Sequence, residues 1–416
     1  MGTCRERRGR RGQARTARRE PRRWALAAAA LLAACCAPRA VAAAAAATSP
    51  AWCVGLEGRR VDWFVMLKHP RGFNYSYLDA RRVARRGGCG GGACWAHGLS
   101  MAPRGGGGGG GNPVAATLAV LVPPGGGVAH VAYNDDPPRG AEHFDAAHAK
   151  GVIAAGLHAA APGGVAGFWL THSAPRFPDD PRAGPGFADL APPQSVFAQH
   201  FACFSLAAPG LAGAAELLRT SAPFVSSSAL PPALAARLPA WAALLGGGGA
   251  PAPPRPAVQL RLRLRTAGGQ ALTAFSAAAQ LNASLTDDVI GPALRADMAG
   301  AGVDSLNVAA VAFAGTRVAW PASEEHSKWG VEAGALDPPD VDPPDRPGPR
   351  QRAGWVCLGD KNRAASQARR GGGAVCLQHA ALWAALAGVV AGVEGCGGGA
   401  SGLRVARGGA PSAAAS

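Results

Sequence analysis

The sequence predicts a mixed α/β protein made of two similar halves that share one central site. Apolar runs with strand-like alternation recur along the chain, and Ala/Leu patterning at 207–245 predicts helices. Each half carries one His-x-Lys triplet, His148-x-Lys150 and His326-x-Lys328. Both triplets precede an apolar run that ends in polar residues. We therefore expect each half to contribute one triplet to the shared site.

The two triplets are improbable as a chance arrangement, because ten histidines and four lysines in 416 residues predict only about 0.1 such triplet. If each triplet lies on a strand, period-two alternation places its imidazole and its ammonium on the same face. A nucleophile or proton donor beside fixed positive charge suits phosphoryl transfer, which does not strictly need a metal. Taken singly, each histidine would more often be an ordinary surface or core residue. Together, His148, Lys150, His326 and Lys328 are the expected catalytic residues, without a metal or another cofactor.

Residues 1–45 have the composition of a signal peptide with an arginine-rich n-region. Ten arginines lie in residues 1–23, and an apolar stretch at 24–37 precedes small residues that suit cleavage. The apolar stretch is shorter than the roughly 20 residues that span a bilayer. We expect entry into the secretory pathway, no stable membrane association, and a final location in a lysosome, a vacuole or the medium. A signal anchor or an organellar transit peptide is the alternative.

Composition limits the classes of partner. The apolar fraction of 48% is sufficient for a sizeable core, although much of it is alanine. Residues 1–23 contribute half of the formal net charge of +16, and the basic balance that remains favours a polyanionic partner. Lysine is almost entirely replaced by arginine, which makes each of the four retained lysines more informative.

The cysteines and sequons are consistent with export. Removal of the signal peptide leaves seven cysteines, so at least one is free or paired between chains. Asn74 and Asn282 begin glycosylation sequons, which are used only if the chain enters a secretory lumen and which also occur by chance. Cys89, Cys94 and His97 supply only three zinc ligands, so a local disulfide or two ordinary thiols is favoured over a zinc site.

The first half is expected at 52–245 and contains a flexible Gly/Arg-rich surface insertion at 83–113. Apolar runs bounded by turn residues predict a strand at 61–68, two strands within 115–133, and a hairpin of strands 151–158 and 165–172. A polar helix is predicted at 140–148.

A linker is predicted at 246–256, followed by the second half at 257–396. Strict alternation at 258–265 predicts a strand with a row of arginines, which either track a phosphate backbone or, as we favour, face solvent. The remaining predictions are a strand at 304–313, a disordered loop at 337–352, and a disordered tail at 397–416.

Several motifs in this chain resemble, in the same order, those of the deoxyribonuclease II family of acid deoxyribonucleases. The resemblance covers roughly residues 52–396. The matching motifs are Val61-Asp62-Trp63-Phe64-Val65, Tyr75-x-Tyr77-Leu78-Asp79, Tyr133-Asn134-Asp135-x-Pro137-Pro138, His148-x-Lys150-Gly151-Val152, Gly167-Phe168-Trp169-Leu170-x-His172-Ser173, Glu325-His326-Ser327-Lys328-Trp329 and Cys357-x-Gly359-Asp360-x-Asn362.

The resemblance implies two phospholipase-D-like halves, each a mixed β-sheet flanked by helices, sharing one central active site. It implies an endonuclease that hydrolyses DNA phosphodiester bonds at acid pH without a divalent metal and leaves 3′-phosphate ends. It carries His172, Asp360 and Asn362 over as substrate-binding candidates beside the reacting set. His172 alternatively supports a strand, and Asp360 alternatively orients a histidine or caps a turn.

The resemblance also implies disulfides Cys53–Cys203 and Cys357–Cys376. The chain differs from the family in having a shortened segment at 288–303. This shortening bears on whether the second half packs fully.

Histidine chemistry fits the expected activity. An unperturbed pKa near 6.5 lets two neighbouring histidines share one proton in mild acid, so that one attacks while the other protonates the leaving group. Two alternatives remain: a phosphodiesterase of the same fold that acts on another substrate, and an inactive relative that binds DNA or carbohydrate. The sequence leaves the oligomeric state open between monomer and homodimer.

Overall fold

The computed structural model describes residues 51–85, 94–102, 112–123, 127–184, 186–246, 258–297, 307–332, 354–362 and 364–394. The predicted signal peptide, almost all of the 246–256 linker, the 337–352 loop and the 397–416 tail lie outside these residues. Within them, no helix has both the length and the apolar character that a bilayer crossing needs.

The largest sheet has eight strands in the order β3-β2-β1-β7-β6-β5-β4-β8. Every neighbouring pair in it is antiparallel. Its strands are β1 Trp63–Lys68, β2 Asn74–Asp79, β3 Ala96–Ser100, β4 Ala129–Asn134, β5 Lys150–Leu157, β6 Val165–His172, β7 Gln199–Ala207 and β8 Val225–Ala229.

Two smaller antiparallel sheets follow in the chain. The five-stranded sheet has the order β13-β14-β15-β10-β9, and the three-stranded sheet has the order β12-β11-β16. Their strands are β9 Gln259–Arg265, β10 Ala271–Ala277, β11 Asn307–Ala312, β12 Ala319–Pro321, β13 Trp329–Val331, β14 Trp355–Gly359, β15 Gly372–Gln378 and β16 Val390–Glu394.

The two larger sheets share a local arrangement around the His-x-Lys triplets. The first triplet leads into β5, which pairs with β6, and β6 pairs with β7. The second triplet leads into β13, which pairs with β14, and β14 pairs with β15. Each triplet therefore stands at the entrance of a three-stranded antiparallel meander.

Helices flank these sheets, which confirms the predicted mixed α/β class. The α-helices are α1 Ala80–Arg85, α2 Pro113–Leu118, α3 Ala208–Ser221, α4 Pro232–Ala235, α5 Pro239–Leu244, α6 Gly291–Asp297, α7 Ala365–Ala368 and α8 Ala380–Ala387. Leu285–Ile290 forms a π-helix just before α6. The longest helix, α3, packs its buried leucines Leu211, Leu217 and Leu218 in one apolar cluster with residues of both larger sheets.

Six predicted strands are confirmed as β1, β4, β5, β6, β9 and β11. The prediction of two strands within 115–133 is wrong for the first strand, because Pro113–Leu118 is a helix. The Asn112 side chain accepts a hydrogen bond from the Ala115 amide at 2.8 Å, and Pro113 occupies the first helical turn. An Asn cap followed by Pro is a helix-start signal.

The predicted helix at 140–148 is absent. The backbone there is bonded to other segments instead: the His143 amide donates to the Asp135 carbonyl, and the Ala147 amide donates to the Ala222 carbonyl. These bonds replace the i→i−4 pattern that a helix would need. Tertiary contacts have therefore overridden the local preference.

Part of the predicted flexible insertion at 83–113 is ordered. Ala96–Ser100 pairs with β2, and Trp95 and Met101 are buried on either side of it. The Trp95 indole donates to the Ala385 carbonyl at 3.1 Å. These contacts attach the strand to the core, while most of the glycine-rich remainder lies outside the described residues.

Both disulfides implied by the resemblance are confirmed. Cys53–Cys203 joins the segment before β1 to β7, and Cys357–Cys376 joins directly opposed residues of β14 and β15. Cys94 is disulfide-bonded as well. A disulfide-bonded Cys94 is not a thiolate ligand, which argues against a zinc site with His97.

Candidate active site

The functional residues of the first triplet alternate along the chain with buried alanines. Ala147 and Ala149 are 2% and 1% exposed in the apolar core, and they alternate along the chain with His148 and Lys150. The next residue has no room for a side chain, because a Cβ on Gly151 would lie 2.3 Å from the Tyr133 hydroxyl. The chain thus enters β5 directly after the triplet, with Lys150 as the first residue of the strand.

His148 is held by residues from the second half of the chain. Its Nδ1 lies 2.7 Å from the backbone oxygen of Asp360, and its amide donates to the Gly371 carbonyl at 2.9 Å. A carbonyl oxygen only accepts hydrogen bonds, so Nδ1 carries the proton of the neutral ring and Nε2 keeps its lone pair. The close approach at Gly371 depends on glycine, since a Cβ there would lie 2.1 Å from the Ser221 oxygen.

The second triplet is held by residues from the first half. The Phe197 ring stacks on the His326 imidazole with centroids 3.8 Å apart and planes 7° apart. The His326 amide donates to the Ala198 carbonyl at 3.1 Å, and the Lys328 amide donates to Nδ1 of His200 at 3.2 Å. Each triplet is therefore positioned by the half that does not contain it.

Glu325 stabilises the turn that carries the second triplet. Its carboxylate accepts the Ser327 amide and the Trp320 indole N–H, each at 2.7 Å. The Lys328 ammonium donates to the His326 backbone oxygen. Lys328 precedes β13, and Lys150 is the first residue of β5. The triplets thus lie at strand entrances and not within strands.

Short contacts bring the two triplets together. The Gly359 amide donates to the Lys328 carbonyl at 2.7 Å, and the next residue, Asp360, binds the His148 ring. The Lys328 charge acts on His148, and the Lys150 charge acts on His326. The two triplets therefore lie close enough for the lysine of each to act on the histidine of the other.

A buried carboxylate orients the lysine of the first triplet. Asp135 has no exposed surface and accepts hydrogen bonds from the Lys150 ammonium and, at 2.9 Å, from the Arg370 guanidinium. Burial by itself would raise the pKa of Asp135, but Lys150, His148 and Arg370 hold it below its usual value. Asp135 is therefore ionised and balances two cations beside the site.

Both histidines of the triplets resist protonation. Burial and the charges of Lys150 and Lys328 lower the pKa of His148 to about 3. Burial and the charges of Lys328, Lys150 and Lys68 lower the pKa of His326 to about 4. Both pKa values thus lie below the unperturbed value near 6.5, and the sequence does not reveal the burial or the closeness of the lysines that lower them. An approaching phosphate anion would offset these positive charges and raise both pKa values.

Two further groups at the site have shifted proton affinities. Burial raises the pKa of Asp360 to about 7, and its carboxylate accepts the Gly373 amide at 3.0 Å. Burial and the charge of Lys150 lower the pKa of Lys328 to about 8. At mildly acid pH, Asp360 is thus mostly neutral and Lys328 is still an ammonium.

The three predicted substrate contacts have different surroundings. His172 ends β6, is 1% exposed, and lies against the rings of Phe177 and Phe201. Neither of its ring nitrogens has a hydrogen-bond partner within the part of the chain that the structure describes. Asp360 lies between the two triplets, as described above. Asn362 is exposed two residues further along.

Sequence reasoning did not assign a role to several buried polar residues around the site. The two lysines outside the triplets are also bonded to segments around the site. Lys68 donates to backbone carbonyls of the loop before β7, and Lys361 donates to the Arg370 carbonyl at 2.8 Å. The near-complete replacement of lysine by arginine was the signal that could have found Lys68 and Lys361. The Tyr133-Asn134-Asp135 motif was the signal for Asp135.

The site has the groups that phosphodiester chemistry needs. It offers two imidazoles, one with a fixed tautomer, and two ammonium groups that can bind the non-bridging oxygens of a phosphate. Among the described residues, no three His, Cys, Asp or Glu side chains are grouped to hold a metal ion.

Comparison with known proteins agrees with this chemistry. A family model described as deoxyribonuclease II matches residues 52–396. Deoxyribonuclease-2-alpha of Mus musculus is 26% identical over 368 residues, which cover 81% of this chain and 91% of that protein. Deoxyribonuclease-2-alpha of Sus scrofa is 27% identical, covering 83% and 90%, and Plancitoxin-1 of Acanthaster planci is 24% identical, covering 83% and 92%. The match extends over most of the chain, which therefore belongs to the deoxyribonuclease II family.

Proposed function

We propose that this deoxyribonuclease is an acid endonuclease that hydrolyses DNA phosphodiester bonds through its two His-x-Lys triplets and leaves 3′-phosphate ends. The observation that carries the proposal is the proximity of the two triplets, since the Lys328 charge acts on His148 and the Lys150 charge acts on His326. Two imidazoles supply a nucleophile and a proton donor, and Lys150 and Lys328 supply positive charge. These groups suffice for hydrolysis without a divalent metal.

We further assign the attacking role to His148. Its Nδ1–H is held by the Asp360 carbonyl, which leaves the Nε2 lone pair available. Nε2 would attack phosphorus, and the bond from phosphorus to the 5′ oxygen would break. His326 would give its proton to that oxygen. A phosphoramidate on His148 would then retain the 3′ fragment.

The second step reverses the proton transfer. His326, now neutral, accepts a proton from water while the water oxygen attacks phosphorus. The N–P bond to His148 breaks, and a 3′-phosphate leaves. Lys150 and Lys328 bind the non-bridging oxygens in both steps, where negative charge develops. Asp135 holds the ammonium of Lys150 in place.

Acid pH follows from the pKa of the proton donor. Because burial and the lysine charges lower the pKa of His326 to about 4, the protonated fraction needed for the first step grows as the pH falls. The bound phosphate raises that pKa, so the rate should decline as the pH rises from mildly acid to neutral. At low pH, protonation of His148 removes the nucleophile and limits the rate.

The direct test is nicking of supercoiled plasmid at pH 5 in EDTA by the purified protein. We expect nicking in EDTA and loss of nicking in His326→Ala with unchanged DNA affinity. Nicking that requires added divalent metal would overturn the proposed mechanism. Rates on duplex DNA, RNA and phosphatidylcholine decide between DNA and another phosphodiester as substrate.

A leaving-group experiment tests the two histidine roles. Thymidine 3′-(p-nitrophenyl phosphate) carries a leaving group that needs little protonation. His326→Ala should therefore recover much of its rate on this substrate, whereas His148→Ala should remain inactive. Recovery in His148→Ala instead would reverse the assignment. The phosphohistidine expected in His326→Ala can be detected by mass spectrometry after acid-free quenching.

We also propose that the chain is exported through the secretory pathway and folds as halves 52–245 and 257–396. Two disulfides support an oxidising compartment. Asn74 and Asn282, the sequon asparagines, are both exposed. A shift in mobility after removal of N-glycans from protein expressed in eukaryotic cells would support this route, and reduced, unglycosylated cytosolic protein would contradict it.

A further inference from the structure

A third lysine is buried close to the site without belonging to either triplet. Lys68 is the last residue of β1 and is fully buried. Its ammonium donates to the backbone oxygens of Gln194, Ser195 and Phe197 at 2.6, 3.1 and 2.6 Å. The three N–H donors of a protonated lysine are thereby matched by three carbonyls.

The match depends on the positive charge. A neutral amine has only two N–H groups, so one carbonyl would face a lone pair and remain unsatisfied. Burial lowers the pKa of Lys68 to about 8, which leaves the group protonated in acid and near neutrality. The ammonium therefore holds its three carbonyls throughout the pH range in which the enzyme is proposed to act.

These carbonyls belong to the loop that supports the second triplet. The Gly72 amide donates to the Ser195 carbonyl at 2.9 Å, and the Arg71 amide donates to the Val196 carbonyl at 3.2 Å. The same loop ends in Phe197, whose ring stacks on His326 at 3.8 Å. The turn after β1 and the Lys68 ammonium together fix the backbone that presents this ring.

We propose that Lys68 is a positioning residue for DNA cleavage: by tying down the 194–197 backbone, it holds the Phe197 ring against His326 and so fixes the imidazole that serves the reacting phosphate. Lys68 itself does not touch the substrate. The inference rests on the proposed function, since it assigns the same His326 a supporting partner. A second effect is electrostatic, because the Lys68 charge also acts on His326.

The pH profile distinguishes positioning from a purely structural role. The charged groups that act on His326 are Lys328, Lys150 and Lys68. Each of these charges disfavours the protonated form of His326. Removing the Lys68 charge should therefore move the limb of the rate profile that reports His326 to higher pH. This direction holds whether His326 acts as acid or as nucleophile.

The experiment compares Lys68→Met, Phe197→Leu and the double variant with the wild-type full chain, in EDTA. Leu211→Ala serves as the control, because it truncates a fully buried leucine of α3 outside the site. We expect kcat to fall about 10- to 100-fold in each site variant with little change in KM. The double variant should be no slower than the slower single variant, because Lys68 acts through Phe197.

The outcomes separate this inference from the proposed function. If the wild type cleaves DNA and His326→Ala does not, but Lys68→Met matches Leu211→Ala in kcat and in pH profile, the positioning role is wrong. Multiplying losses in the double variant would overturn it as well. If Lys68→Met does not fold, Phe197→Leu decides, because a wild-type kcat in that variant also excludes the role. Inactive wild-type protein would instead reject the proposed function.

Discussion

Asp135→Asn tests the electrostatic support of the site. The substitution keeps the shape of the side chain but removes the charge that Lys150 and Arg370 share. All three side chains are nearly inaccessible, with 0%, 6% and 9% exposure for Asp135, Lys150 and Arg370. Breaking a buried ion pair leaves uncompensated charge and costs about 3–5 kcal/mol. Here two cations would also face each other without the intervening carboxylate.

A matched control exists on the surface. Asp179 pairs with Arg139 at 3.0 Å, with side chains 32% and 75% exposed. Asp179→Asn is the same chemical change, and exposed pairs contribute about 0–1 kcal/mol. Urea unfolding at pH 7 measures the free energy of unfolding of both variants and of the wild type. We expect Asp135→Asn to lose several times more stability than Asp179→Asn.

The pH dependence of this loss has a definite sign. The folded-state pKa of Asp135 is lowered, so its contribution is present above the unfolded value and disappears only as the pH falls through the folded value. The difference in the free energy of unfolding between wild type and Asp135→Asn should thus be the same at pH 5 and pH 7. Equal losses in Asp135→Asn and Asp179→Asn would refute the account of a buried charge network.

Two further predictions concern stability. Replacing Cys53 and Cys203 with Ser should lower the free energy of unfolding more than replacing Cys357 and Cys376, because the two pairs lie 150 and 19 residues apart. A loop-entropy account gives losses of about 5 and about 3 kcal/mol. Equal thermal shifts would contradict this ordering. His200 is fully buried, and burial together with the Lys328 charge lowers its pKa to about 3. As the pH falls, His200 is therefore protonated in the unfolded chain, near pH 6.5, before it is protonated in the folded protein. The folded state loses stability from that pH downwards. His200→Gln should flatten that acid loss by up to about 1.4 kcal/mol per pH unit, and an unchanged slope in urea unfolding would show that His200 does not titrate this way.

Local patterns were sufficient to predict several strands and to single out the two His-x-Lys triplets. Strict alternation predicted β9, and apolar runs predicted the hairpin of β5 and β6, because these patterns lie within each strand's own sequence. The helix at Pro113–Leu118 was predictable too, since Asn112 and Pro113 form a start signal that outweighs the apolar run. The loop at 140–148 was not, because its backbone bonds reach residues far away in the chain.

The supporting residues of the site were harder to predict for the same reason. Lys68 satisfies backbone carbonyls 126 to 129 residues away, and Arg370 binds a carboxylate 235 residues away. No local pattern encodes such partners. The shifts of the histidine pKa values have no local signal either, because they depend on burial and on lysines from both triplets. Family resemblance supplied the proposed reacting groups but not the contacts that set their proton affinity.

The most direct test of the central claim is a double-mutant cycle on His148 and His326. Single-turnover cleavage of a DNA duplex at pH 5 in EDTA would be measured for His148→Ala, His326→Ala and the double variant. Because both imidazoles act on one phosphorus in one step, the double variant should be no slower than the slower single variant. Losses that multiply, or near-wild-type cleavage in either single variant, would mean that the two triplets do not form one active site.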